Sequence, residues 1–495
     1  MWFVVATAGV CAPGCARRES TASGPATVRI GVGAPQNQSR GSGAKFVVDA
    51  LTTETWLSMQ LDGRQGERLF SHWQWDNSGT AVALTLRRNV FFHDGTELTP
   101  AVAAEAIRKN RGEEPYPSFS SIRAITPTAD GVRITLSEPS AFLLADLALT
   151  SARLPTNNLI ATGPFQIESN EAEQKILKAF PRYYRGTPGI GRIEVNIYPT
   201  QRKAWTALMR GDLDMLHEVS RDAAEFVEAE TTVKTYSFPR TFYIPLVFST
   251  RHPILKRVEV RTAINEALDR AALVRDGLRS RGRPADGPLW PQHWAFAPEA
   301  PRFAFDPNAA KARLDKAGLV ARPGEGGVPT RFSFSCLTFA NDTRFERLEV
   351  LVQKQLADVG IDMKLVPLPQ NDLVVRLQKG DFDAFIFEMA GRSLSWVYTF
   401  WRSQNPPTMV DTGYRSADTV LDRIKTARSD DEVKAYVAEL GRILHDDPPA
   451  AFLAWQETSR AVSHRFDVAA EENRDIFTNI WQWRPRKDGM PQTSR

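Results

Sequence analysis

The sequence predicts an α/β protein built from more than one globular unit, with a small α+β unit near the front of the chain. Three observations point there. A chain of 495 residues is longer than one hydrophobic core usually organises. Residues 331–389 alternate strand and helix patterns, which implies a largely parallel sheet covered by helices. Residues 46–160 combine short alternating strands with helical apolar spacing, as a self-contained α+β unit would.

The first 26 residues stand apart from the fold. Trp2 to Val10 is apolar, but Pro13, Gly14 and Arg17-Arg18 end the run well short of the roughly 20 apolar residues of a bilayer span. The run reads as the tail of a secretory signal. Ala12-Pro13-Gly14-Cys15 resembles a lipoprotein cleavage box with Cys15 as the lipidated residue, and residues 19–26 form a small, polar tether.

Folded sequence begins with the strand pattern Val28 to Val32, followed by helical spacing from Phe46 to Leu51 and Trp56. Alternation marks strands at 69–75, 81–86 and 131–136. Between the last two, Asp94-Gly95 marks a turn, and Thr99 with Pro100 starts a helix. Gly163-Pro164 turns the chain into new sheet, and residues 193–198 are a further strand. A helix from Trp205 ends at Gly211; residues 242–248 form an apolar strand, and residues 258–270 have helical spacing through Val260, Ile264, Ala267 and Leu268. Asp306, Pro307 and Gly318 give the next helix its cap, first turn and exit. The alternating region then runs strand 331–338, helix 345–359, strand 361–367, helix 372–379 and strand 382–389.

Chemistry is mostly excluded by what the sequence lacks. The 62 basic and 58 acidic residues are spread without a basic block, which argues against nucleic acid or an anionic membrane surface as partner. Of three cysteines, two lie at the N-terminus and Cys336 stands alone, so neither a disulfide framework nor a zinc site can be assembled. The seven histidines show no pair at metal spacing, and neither a phosphate-cradling glycine loop nor a Gly-x-Ser-x-Gly elbow is present. The acid pairs Asp212/Asp214 and Asp381/Asp383 sit at helix exits beside glycine, where turn chemistry accounts for them. No catalytic residue, metal site or cofactor is expected.

Five landmarks in order give the chain a family likeness. They are Leu86-Arg87 with Phe92-His93-Asp94-Gly95-Thr96; Thr162-Gly163-Pro164 with Ala207-Leu208, Gly211 and Asp214; Val260-Arg261 with Ala263-Ile264-Asn265 and Asp269-Arg270; Pro284-Ala285 with Gly287-Pro288; and the capped helix at Asp306. This series resembles the family 5 extracellular solute-binding proteins, the dipeptide-, oligopeptide- and nickel-binding receptors of ATP-binding-cassette importers. One departure is Phe180-Pro181-Arg182, where the family usually has an asparagine.

The resemblance implies a two-lobed, type II periplasmic-binding-protein-like fold with the small α+β domain inserted in the first lobe. Lobe I would comprise residues 27–45, 161–245 and 453–495, the insert 46–160 and lobe II 246–452. The chain would cross between lobes near 244–248 and 449–455, the crossings acting as hinges. The function implied is a monomeric, extracytoplasmic, lipid-anchored receptor that captures a peptide or peptide-like solute and hands it to membrane permease subunits. An extracytoplasmic hydrolase working on a peptide or glycan in the same cleft, or a solute sensor, are the alternatives.

In open α/β sheets, ligands bind beyond the carboxyl ends of strands. In the second lobe those ends lead into the loops 339–342 and 390–396, which nominate Phe339, Asn341, Met389, Ala390, Gly391, Arg392, Ser393 and Trp396, with Trp294 as a second aromatic platform. The main chain of Met389 to Gly391 suits an extended ligand. Trp455 suits either hinge packing or the cleft lining. The resemblance also implies an aspartate in the loop after Asp381-Phe382-Asp383, pairing with a peptide ammonium. That position falls on or near Arg392, no aspartate occurs between Asp383 and Asp411, and Glu388 is the nearby acid. Arg392 would repel an ammonium and fork instead onto a carboxylate, phosphate or sugar hydroxyl.

Overall fold

Two long antiparallel strands, Val233–Phe248 and Ala450–Ser463, form the axis of the molecule. The computed structural model describes residues 25–33, 43–114, 116–221, 223–324, 329–340, 344–403 and 410–486, and the expectations for Cys15 and Asn341 fall outside them. The long strands occupy the middle of a 12-stranded sheet. At one end, Ala461 and Val462 pair with Met215–Leu216, which leads through Thr27–Gly33 and Arg192–Tyr198 to the hairpin Phe165–Asn170 and Gln174–Ala179. At the other, Leu246 to Phe248 pair with Ala384–Ile386, which leads to Phe332–Phe339 and Ile361–Leu368. The changeover lies between these ends, where the register slips between Arg240 and Tyr243 and between Ile244 and Pro245.

The second half is parallel from Ala384–Ile386 through Phe332–Phe339 to Ile361–Leu368, as the alternation over 331–389 implies. The first half is mixed: Thr27–Gly33 runs parallel to its two neighbours, whereas Phe165–Asn170, Gln174–Ala179 and Arg192–Tyr198 are antiparallel, and the crossing strands pair antiparallel with each other and with both halves. The strand rule of alternate facing explains the apolar run near Phe248. Ile244, Leu246 and Phe248 join one core with Phe334, Cys336 and Ile386, whereas Tyr243 and Val247 join another with Leu337, Phe339 and Phe385. Both faces are buried, so both sets are apolar. The other half has its own core of Val28, Ile30, Val195, Met215 and Val462.

Helix Gly43–Thr52 feeds Val47, Val48 and Leu51 into that last core. The core of the small unit starts only at Trp56, ten residues beyond the boundary at 46, and runs to Leu154. Here a four-stranded antiparallel sheet carries the helix Pro100–Glu113 on one face. The Thr99 hydroxyl accepts from the Val102 N–H at 3.4 Å, and Ala103, Ala104, Ala106 and Ile107 turn inward. The fourth strand, Ile122–Pro127, is absent from the sequence reading because a register shift between Ile122 and Ala124 spoils its alternation, leaving Ile122 and Ile125 to face the core.

The strand expected at 382–389 is broken in two. Ala384–Ile386 pairs with the first crossing strand, Phe387 and Glu388 leave the ladder, and Met389–Ala390 rejoins it opposite Tyr243 and Phe242. The break frees Glu388 to meet Arg240 at 3.1 Å and Gln456 at 2.9 Å.

Candidate functional site

A cavity of about 450 Å³ lies where the crossing strands pass between the two halves of the sheet. Its walls come from distant segments: Phe46 to Glu54 and Ser58 to Leu61 on one side, Phe238 to Phe242 and Thr458 along the crossing strands, Trp290 and Arg392 from the second half, and Arg460 with residues 473–475 from the C-terminal part. Such a volume falls within the range of about 300–1,000 Å³ usual for small-molecule sites.

Arg460 is the best-held charge in this wall. It sits in the second crossing strand, 4% exposed, and its Nε and Nη2 reach Asp475 at 2.7 and 2.5 Å in a two-pronged pair. Its guanidinium lies 4.3 Å from the Phe477 ring centre and 5.3 Å from that of Phe238. The His217 ring also contacts Arg460 and stacks on Phe477; burial first, and the Arg460 charge second, hold His217 well below the usual histidine range, so it is neutral.

Glu54 is buried opposite Arg68 at 3.2 Å and takes the hydroxyls of Tyr183 at 2.9 Å and Tyr184 at 3.1 Å. Burial nonetheless pushes its carboxyl up, against the pull of Arg68 and the two tyrosines.

Arg392 comes from the second half and crosses the cleft. Its Nη2 donates to the main-chain oxygens of Met59 at 3.2 Å and Gln60 at 2.9 Å, and its buried Nε has no hydrogen-bond partner among the described residues. Burial, and next the Arg474 charge, lower its guanidinium to about 10. Arg474 itself donates to the Gln60 side chain at 2.6 Å, so Gln60 is gripped from two sides.

The other described residues nominated from sequence do not line the cavity, Gly391 among them. Its N–H donates to Thr241 at 3.0 Å and its oxygen accepts from the Trp290 N–H at 2.9 Å, so its main chain is already used within the protein. Ala390 pairs with Phe242 in the same ladder, and Met389 is a core residue whose sulfur meets the Tyr243 hydroxyl at 3.6 Å. Ser393 caps helix Leu394–Trp401, its hydroxyl accepting from the Ser395 N–H at 3.2 Å. Trp396 was expected in a loop but lies in that helix, where it packs on the small unit with its ring centre 5.9 Å from that of Tyr116. Phe339 is buried against Phe387. Trp294 is covered by the Arg64 guanidinium at 4.2 Å. Trp455 packs between Trp290 and Tyr243 and does not line the cavity.

The residues that build most of the cavity were missed in the sequence. A usable signal was present in part: Arg240 and Arg460 are charges within the two long strands, where a charge turned into a buried face demands a partner.

Residues 66–409 match the model of the bacterial extracellular solute-binding proteins, family 5 Middle. The chain is 26% identical over 360 residues to the probable D,D-dipeptide-binding periplasmic protein DdpA of Escherichia coli strain K12, which covers 67% of each chain. It is 24% identical over 444 residues to the oligopeptide-binding protein AppA of Bacillus subtilis strain 168, covering 82% of this chain and 81% of that one. Among solved structures, AppA from Bacillus subtilis in complex with a nonapeptide superposes with a TM-score of 0.77 at 19% identity, covering 94% of this chain and all of that one, 100%. NikZ from Campylobacter jejuni in complex with Ni(L-His) gives a TM-score of 0.78 at 18% identity, covering 92% and 99%. The fold is the two-lobed α/β fold of those proteins, and with more than half its length under the family match, the chain belongs to the bacterial extracellular solute-binding proteins of family 5.

Proposed function

We propose that this protein captures a peptide or peptide-like solute between its two lobes and delivers it to the membrane subunits of an ATP-binding-cassette importer, without chemical change to the cargo. The observation behind this reading is the cavity itself, enclosed at the crossing strands by side chains from both halves of the sheet and from the small unit. Hinge closure about paired strands is the usual way such a site opens and shuts. Relatives named for D,D-dipeptide and oligopeptide binding favour a peptidic cargo. The lobes would follow the division at about residues 46, 160, 246 and 452, adjusted so that helix Gly43–Thr52 moves with the first lobe.

The same reading has the protein working as a monomer outside the cytoplasm, tethered through a lipid on Cys15. No acid–base pair or activated nucleophile is proposed in the cleft: of its carboxylates, Asp49, Glu54 and Asp475 are each engaged by an arginine, and Glu218 lies in the field of Arg221. Tryptophan fluorescence of the purified protein titrated with short peptides tests the proposal. A saturable change with the peptide recovered intact is the expected result. Peptide cleavage, or no response to any peptide, overturns it.

A further inference from the structure

Resting on the receptor reading above, we propose that the captured solute is anionic and that its carboxylate is received by Arg392. The arginines around the cavity differ in one respect. Arg68 faces Glu54 at 3.2 Å, Arg240 faces Glu388 at 3.1 Å, Arg460 faces Asp475 at 2.5 Å and Arg474 faces Glu471 at 3.1 Å. Arg392 has no carboxylate within ion-pair distance among the described residues. Two neutral main-chain oxygens hold its Nη2, and its Nε is left as a buried donor.

A guanidinium cannot shed its charge at neutral pH and can only donate, so what completes it must be an acceptor. Inside a cleft, a neutral oxygen satisfies the donor yet leaves the charge uncompensated, and a carboxylate supplies both. Arg474, whose own charge is met by Glu471 at 3.1 Å, adds a weaker positive field. Asp62 offsets it only through space, since its Oδ1 takes the Arg64 N–H at 3.0 Å. A ligand ammonium at this point would meet repulsion from the Arg392 guanidinium.

The carboxylate could be a peptide C-terminus or belong to a small non-peptide acid, and the test separates them. Binding is measured for tripeptides without acidic side chains in three forms: both termini free, C-terminally amidated and N-terminally acetylated. Small di- and tricarboxylic acids form a second panel. Amidation should weaken wild-type binding by about tenfold or more, as for loss of a charge-assisted pair, and acetylation by much less. Arg392→Gln, checked for folding by its ligand-free melting curve, should bring the acid-to-amide ratio to about one, whereas a merely structural loss would weaken both forms alike. Arg392→Lys should keep part of the preference. Binding of the carboxylic acids but of no tripeptide upholds Arg392 and removes the peptide reading. Tripeptide binding indifferent to amidation, or an acid preference surviving in Arg392→Gln, overturns Arg392 and leaves the peptide reading in place. No binding by either panel overturns both.

Discussion

Arg392 donates to the main-chain oxygen of Gln60 at 2.9 Å across 332 positions of sequence, and Arg474 takes the same residue by its side chain at 2.6 Å. Gln60 therefore sits between a loop of the second half and the C-terminal segment of the first. Gln60→Ala removes only the side-chain grip and leaves the main-chain oxygen for Arg392. The loss of one charged hydrogen bond is worth about 1.5–3 kcal/mol when fully expressed, and less at a half-buried site. Solute affinity should fall several-fold, while the ligand-free melting temperature, which also loses this bond, should fall only slightly. Calorimetric titration beside a thermal melt checks this; a large drop in melting temperature would mean that Gln60 supports the fold itself.

Gly391 is predicted to tolerate no side chain. A Cβ there would lie 2.3 Å from the Pro288 oxygen and 2.4 Å from the Trp455 ring, and both neighbours are fixed, the ring by Trp290 and Tyr243. Gly391→Ala forces backbone or ring to move, and overpacking of this kind costs about 1–3 kcal/mol. Urea unfolding should show a lower midpoint with an unchanged slope. An unchanged midpoint would mean the loop relaxes freely.

How much was readable follows from distance along the chain. The caps at Thr99 and Asp306 announce themselves because cap and helix are adjacent, and the Asp306 side chain does accept from the N–H groups of Asn308 and Ala309. Strand alternation gave Thr27–Gly33 and Phe332–Phe339 to within a residue or so. The helix at Leu394 was missed although Ser393 is a sound cap, since glycine and serine around it suggested a loop. The cavity was largely illegible. Arg460 needs His217 and Asp475, Glu54 needs Tyr183 and Tyr184, and nothing in a linear reading brings those residues together. Arg392 alone was accessible, through its place after the strand at 384–386.

The Arg460–Asp475 pair should prove costly to break from one side. Asp475→Asn keeps the shape but leaves a 4% exposed guanidinium without its counter-charge, beside a neutral His217. Breaking one partner of a buried pair costs about 3–5 kcal/mol, toward the lower end here because Asp475 is partly solvated. The phenyl rings of Phe477 and Phe238 remain to hold part of the charge. Urea unfolding of Asp475→Asn against wild type reads the difference, and a loss under about 1 kcal/mol would show that the aromatic rings suffice.

Asp146 gives the fold a pH dependence of predictable sign. It is wholly buried in the small unit, where its Oδ2 accepts from the Ser118 N–H at 3.2 Å and the Ser118 hydroxyl at 2.5 Å. Burial raises its carboxyl to about 7, against the lowering pull of Ser118 and of Ser395 from the second half. The unfolded chain would release this proton near an ordinary aspartate value of about 3.9. Between roughly pH 4 and 7 the folded state therefore holds a proton that the unfolded state has lost, and stability falls as pH rises through that window. Below it both states are protonated; above it both are ionised and the loss is complete. Asp146→Asn is neutral throughout, so it should flatten this part of the profile and exceed wild type in stability at pH 8. Urea melts at pH 4, 6 and 8 decide the matter, and a wild-type stability that rises across the window together with a destabilised Asp146→Asn at pH 8 would place an ionised carboxylate in the folded protein.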